Sequence, residues 1–135
     1  MTNALTVVNR LVAATNEHDL EAIVACFAED YALDAPLHPS RSFRGKEQVR
    51  RNWTQIFTAV PDHTAALVAS GENGETVWTE WEMRGARVDG RPHLMRGVIV
   101  FTVRGGLASA ARFYLEPVDD TEVDADAAVR RVVGR

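Results

Sequence analysis

Only one cysteine, Cys26, occurs in this chain, so no disulfide can form within it. A lone thiol suits a reducing, cytoplasmic setting. Basic excess is missing as well: 15 Lys and Arg stand against 19 Asp and Glu, a formal net charge of −4. Without a cationic footprint, no nucleic-acid partner is expected. No apolar run approaches the roughly 20 residues that a membrane-spanning helix needs, so no membrane partner is expected. The N-terminus has no charged region leading into an apolar signal core. The four histidines, His18, His38, His63 and His93, have no HxxxH or HExxH spacing. There is no GxSxG elbow, no CxxC pair and no glycine-rich phosphate loop. These gaps leave no metal site and no cofactor to expect.

What is present is ordinary for a globular chain, 46% hydrophobic and 25% charged over 135 residues. That length fits one domain, residues 1–135, with a core over about 5–118 and a tail from 119 to 135. Leu5, Val8, Leu11 and Val12 form a helical stripe. Asp19 is placed to cap a second helix through DLEAIVACFAED, with Leu20, Ile23, Val24 and Phe27 on one face. Cys26 lies beside that stripe as a small core residue. Tyr31 to Pro36 reads as a short strand and residues 37–44 as a loop. A third helix from Lys46 to about Val60 carries Val49, Trp53, Ile56 and Phe57 at helical spacing. His63 to Ser70 reads as a strand, followed by a turn at Gly71–Gly74. The last strand runs from Leu107 to Glu116, and in the tail Asp124 caps a short helix through Arg131. Three helices ahead of a strand meander predict an α+β fold. A curved sheet wrapped on helices leaves a conical cavity suited to a small apolar ligand.

The stretch Val77–Val103 reads as one long hairpin around Asp89-Gly90, the dipeptide favoured in two-residue type I′ turns. Charged Glu80, Glu82, Arg84 and Arg96 are scattered among its Trp, Val, Ile, Met and Phe residues. A two-residue turn sets Glu80 opposite Ile99 and Glu82 opposite Gly97, and if Ile99 faces the cavity, both carboxylates do too. Desolvation there would raise their pKa values into acid–base range. A turn one residue longer sets Glu82 opposite Arg96 instead. Glu80, Glu82, Arg96, Arg112, Tyr114 and Glu116 then form a ladder on the convex face. Val77, Trp81, Met83, Ile99, Phe101, Phe113 and Leu115 line the interior in that case, and this sorting is the cleaner of the two.

The runs DLEAIVACFAEDYALDAP and FRGKEQVRRNW, the Pro61-Asp62 pair and the closing RFYLEP resemble the nuclear transport factor 2-like superfamily. Within it the chain is similar to SnoaL-like polyketide cyclases and ketosteroid isomerase-like proteins, over roughly Leu5 to Val118. The resemblance implies a cone-shaped α+β barrel, three N-terminal helices packed on a curved, mostly antiparallel sheet. It also implies a homodimer through the sheet, which Trp78 and Tyr114 on a polar face would suit. The isomerase base falls at Ala35, its oxyanion tyrosine near Leu11 and its oxyanion aspartate near Ile99, so the resemblance implies that Ile99 faces the cavity. All three are apolar here, and Phe27 stands where the isomerases often carry a tyrosine. Asp34, one residue before the base position, is the nearest acid. The charged triad of limonene epoxide hydrolase-like members falls near Glu82, Arg84 and either Arg112 or Phe113, with the wrong identities. The cyclases' aspartate and histidine have Glu116 and His93 as their nearest counterparts.

Two functions follow. In the first the chain is a cofactor-free cyclase or isomerase acting on an apolar carbonyl compound, with Glu80, Glu82 and Asp34 as candidate catalytic residues. Phe27, Trp53, Phe57, Met95, Ile99 and Phe101 would line the pocket. In the second it is a non-catalytic domain of the same fold that binds a small apolar ligand or dimerises.

Overall fold

The computed structural model describes residues 3–134; Met1, Thr2 and Arg135, at the ends of the expected domain and tail, lie outside the described residues. Helix α1 (Ala4–Asn16) is capped by Asn3, whose side chain accepts from the Thr6 N–H, and it buries Val7, Val8, Leu11 and Ala14. The chain reverses at His18, a non-glycine residue with positive φ (55°), and Asp19 caps α2 (Leu20–Val24). The helix expected through DLEAIVACFAED therefore ends early. Phe27 already begins strand β1 (Phe27–Asp34), because pairing with a late strand outweighs local helix propensity. The Ala108 N–H donates to the Cys26 carbonyl at 2.8 Å where that pairing starts.

A short strand, β2 (Phe43–Arg44), lies in the segment expected to be loop, and it pairs with the end of β1. Helix α3 (Lys46–Ala59) follows, then β3 (Thr64–Asn73), β4 (Thr76–Ala86), β5 (Pro92–Arg104) and β6 (Leu107–Pro117). Helix α4 (Ala125–Val132) closes the described chain, capped by Asp124. The strand order is β2-β1-β6-β5-β4-β3, antiparallel except where β1 runs parallel to β6. The molecule is thus an α+β fold with a curved, unclosed six-stranded sheet, and α1 packs on β3, β4 and β5.

The loop between β4 and β5 sets the register. The Arg87 N–H donates to the Arg91 carbonyl and the Gly90 N–H to the Arg87 carbonyl. Gly90 has φ +91° while Asp89 does not have positive φ, so the connection is a three-residue loop, Val88–Gly90, not a type I′ turn. Glu82 therefore pairs with Arg96, Trp81 with Gly97 and Met83 with Met95. Turning the glutamates inward would desolvate two carboxylates, at several kcal/mol each, whereas one extra loop residue costs little. Trp81 is buried beside Val77, Ile99, Phe101 and Leu115 in the core instead. Its indole N–H donates to Thr79 Oγ1 (2.7 Å), and Thr79 donates on to the Ile99 carbonyl (2.6 Å).

Candidate functional site

Between α3 and the concave face of the sheet lies a pocket of about 150 Å³. Its helical wall consists of Leu11 and Thr15 from α1 and Val49, Asn52, Trp53 and Ile56 from α3. Phe27, Tyr31, Leu33 and Phe43 close the end formed by β1 and β2. Trp81, Met83, Met95, Ile99, Phe101, Phe113 and Leu115, the inward residues of β4, β5 and β6, make the floor. Asn52, Trp53 and Ile56 are half-buried, as are Leu33, Phe43, Met95 and Phe113. None of these side chains is a carboxylate or a histidine. The strand residues reach the floor because side chains alternate between faces, and i, i+2, i+4 positions share one.

Phe27, Trp53, Met95, Ile99 and Phe101 line this pocket. Phe57 does not. It stacks on His18, with ring centroids 4.3 Å apart, and leans on Trp53 and His63. Glu80 and Glu82 lie on the opposite, convex face of the sheet, as the register requires. Glu82 accepts from Arg84 Nε (2.6 Å) and Arg96 Nε (2.9 Å). Those two arginine hydrogen bonds, Arg84 first, hold its carboxyl below the ordinary range, the reverse of what a cavity acid needs. Asp34 is also outside the pocket. It borders a separate open groove of about 450 Å³ on the outer face with Ser42, Arg44 and Arg112. Ala35 is buried but apolar.

The Glu116 and His93 counterparts of the cyclase pair are not brought together. Glu116 sits on the outer row opposite Arg96 and binds His38 Nε2 at 2.5 Å, with Arg41 at 3.8 Å. His93 lies on the inner row and approaches His63, which is buried against Trp53 and Phe57. Among the described residues no cluster of His, Cys, Asp and Glu could hold a metal ion, and no helix is long and apolar enough to cross a membrane.

Tyr31 is among the pocket residues absent from the sequence candidates. Tyr31 is 2% exposed, meets Phe27 edge-on at 4.6 Å and turns its ring into the cavity. The signal for it was available. Tyr31, Leu33 and Ala35 alternate along one strand face, and the resemblance already set position 35 inward.

Residues 8–111 match the SnoaL-like domain family. The chain belongs to that family. No protein of curated function matches this sequence. Among solved structures, an NTF2-like protein of unknown function from Burkholderia pseudomallei superposes over 100% of both chains, with TM-score 0.72 and 20% identity. A Mycobacterium tuberculosis protein solved with estradiol-17β-hemisuccinate matches 84% of this chain and 94% of its own, with TM-score 0.72 and 19% identity. A candidate polyketide cyclase from Pseudomonas putida matches 84% and 92%, with TM-score 0.70 and 18% identity. At these identities the likeness shows a shared fold. In this SnoaL-like chain the pocket lies on the concave face of the sheet, while the charged hairpin residues face outward.

Proposed function

We propose that this SnoaL-like chain binds a small, apolar molecule between α3 and the sheet, without acid–base chemistry by Glu80, Glu82 or Asp34. The observation that carries this reading is a pocket wall free of carboxylates and histidines, with those three acids outside it. The M. tuberculosis structure solved in complex with estradiol-17β-hemisuccinate supports it, as a case of small-molecule binding by a protein of this fold. Typical ligand sites span about 300–1,000 Å³, so 150 Å³ is small. An apolar cavity of about that size holds one aromatic ring. A larger ligand needs the flexible Met83 and Met95 side chains, or the half-buried Trp53, to move.

Thermal shift with single-ring aromatic and monoterpenoid compounds tests this directly, since a ligand bound to the native state alone raises the melting temperature. Trp53→Ala should weaken binding by at least about tenfold, as loss of a large aromatic anchor commonly costs more than 2 kcal/mol. The double substitution Glu80→Gln, Glu82→Gln should leave binding unchanged. Loss of binding in the glutamine variant with Trp53→Ala unaffected would overturn the assignment.

The same reading includes a twofold dimer through the convex sheet face and a cytoplasmic location. Trp78 at 42% exposure supports the first, and a lone buried thiol supports the second.

A further inference from the structure

The pocket wall has almost no polar capacity left over. Thr15 donates its hydroxyl to the Leu11 carbonyl (2.8 Å), and the Trp81 indole N–H is taken by Thr79. Asn52 accepts from Gln48 (2.8 Å) and keeps its own amide donors, and the Trp53 indole N–H makes no hydrogen bond among the described residues, but both residues are half-buried. A ligand contact there only exchanges water for ligand, which gains little. Tyr31 differs. Its hydroxyl makes no hydrogen bond among the described residues. It is also not one of the polar atoms sealed in without a partner, which are the two His63 ring nitrogens alone. The Tyr31 hydroxyl therefore keeps some accessible surface although the residue as a whole is 2% exposed, and Tyr31 is one of the residues that line the pocket.

We propose that Tyr31 is the polar anchor of the pocket, donating a hydrogen bond to a ligand that is apolar except for one acceptor group, such as a ketone or ether oxygen, buried at the β1 end. Burial pushes the phenol above its usual range, so the donor is present at every pH where the protein is folded. A buried donor in an apolar wall orients a ligand and separates an acceptor-bearing molecule from a hydrocarbon of the same shape. This rests on the reading of the pocket as a ligand site, and it adds the residue that selects the ligand.

The test uses two probes of one shape: acetophenone and α-methylstyrene, in which C=CH2 replaces C=O. Binding to the full chain is followed by the tryptophan indole signals in NMR titrations. Tyr31→Phe removes the oxygen and keeps the ring. The expected result is a loss of about tenfold in acetophenone affinity with α-methylstyrene affinity unchanged. The melting temperature of the free variant should be equal or higher, because no internal hydrogen bond is lost. Equal weakening for both probes would make Tyr31 a wall residue only, and no change for either would leave the pocket without this anchor; both overturn the proposal while the pocket stands. Failure of both probes to bind the unaltered chain would remove the pocket reading and this one with it.

Discussion

His63 is buried at 1% exposure with neither ring nitrogen partnered, wedged against Trp53, Phe57 and His93. Desolvation first, then the neighbouring His93 and His18, lower its pKa from 6.5 to about 4; Asp62 opposes this weakly. His93 is lowered as well, by burial and by Arg87. The folded state therefore resists a proton that the unfolded chain accepts below about pH 6.5. Stability should be flat above that value and should fall as pH drops from 6.5 toward 4. His63→Leu should shallow that acid slope in melting temperature while leaving pH 7 stability equal or up to about 1 kcal/mol higher, since two unpaired polar atoms leave the core. Equal slopes in the two proteins would place the acid sensitivity elsewhere. Tyr31 is the other residue whose environment decides its role, for it lines the pocket and its hydroxyl has no hydrogen-bond partner among the described residues. Neither residue stands out in the sequence, because partner satisfaction is a tertiary property.

At the scale of elements, the hairpin β4–β5 decides which face meets the pocket. Helix α3 was legible because Val49, Trp53 and Ile56 recur at helical spacing, and α4 because Asp124 precedes it as a cap. The alternating residues of β5 likewise announced Met95, Ile99 and Phe101 as one face. The register was not legible from Asp89-Gly90, since that dipeptide fits a two-residue turn and also ends a three-residue loop. Side-chain sorting carried the answer that the turn did not: Trp81 and Met83 could be buried cheaply and Glu80 and Glu82 could not. Phe27–Asp30 was misread as helix because the stripe of α2 runs on into it without a break. Gly97, opposite Trp81 and Leu115, holds this register from the other side. It has φ +152°, and a Cβ there would stand 2.1 Å from the Tyr114 carbonyl oxygen and 2.7 Å from the Leu115 Cα. Gly97→Ala must push β6 off β5 beneath the pocket floor. A loss of about 3 kcal/mol or more is expected in urea unfolding, and a change below about 0.5 kcal/mol would show that the two strands give way freely.

At the scale of the molecule, the sheet has one face committed to the helices and the pocket and another left open. On the open face, register sets Trp78 beside Val100 and Val98 beside Tyr114, an apolar centre. Glu80, Glu82, Arg84, Arg96, Arg112 and Glu116 surround it, with both signs interspersed. A twofold operation lays such a patch on its own copy: apolar centre meets apolar centre, and rim acids of one chain meet rim bases of the other. The small net worth of exposed ion pairs within one chain means that the ladder adds little to monomer stability. In the proposed dimer it would fix the rotation of one sheet on the other. The expected mass in solution is twice that of the chain. Trp78→Lys sets a charge at the centre of the patch, where the two copies would repel, and should give a monomer at micromolar concentration. Because Trp78 lies on the opposite face from Trp81, the monomer should still bind the pocket ligand. Sedimentation velocity on both proteins reads the outcome. A monomeric parent chain would sink the dimer, and a dimeric Trp78→Lys variant would move the contact to another surface.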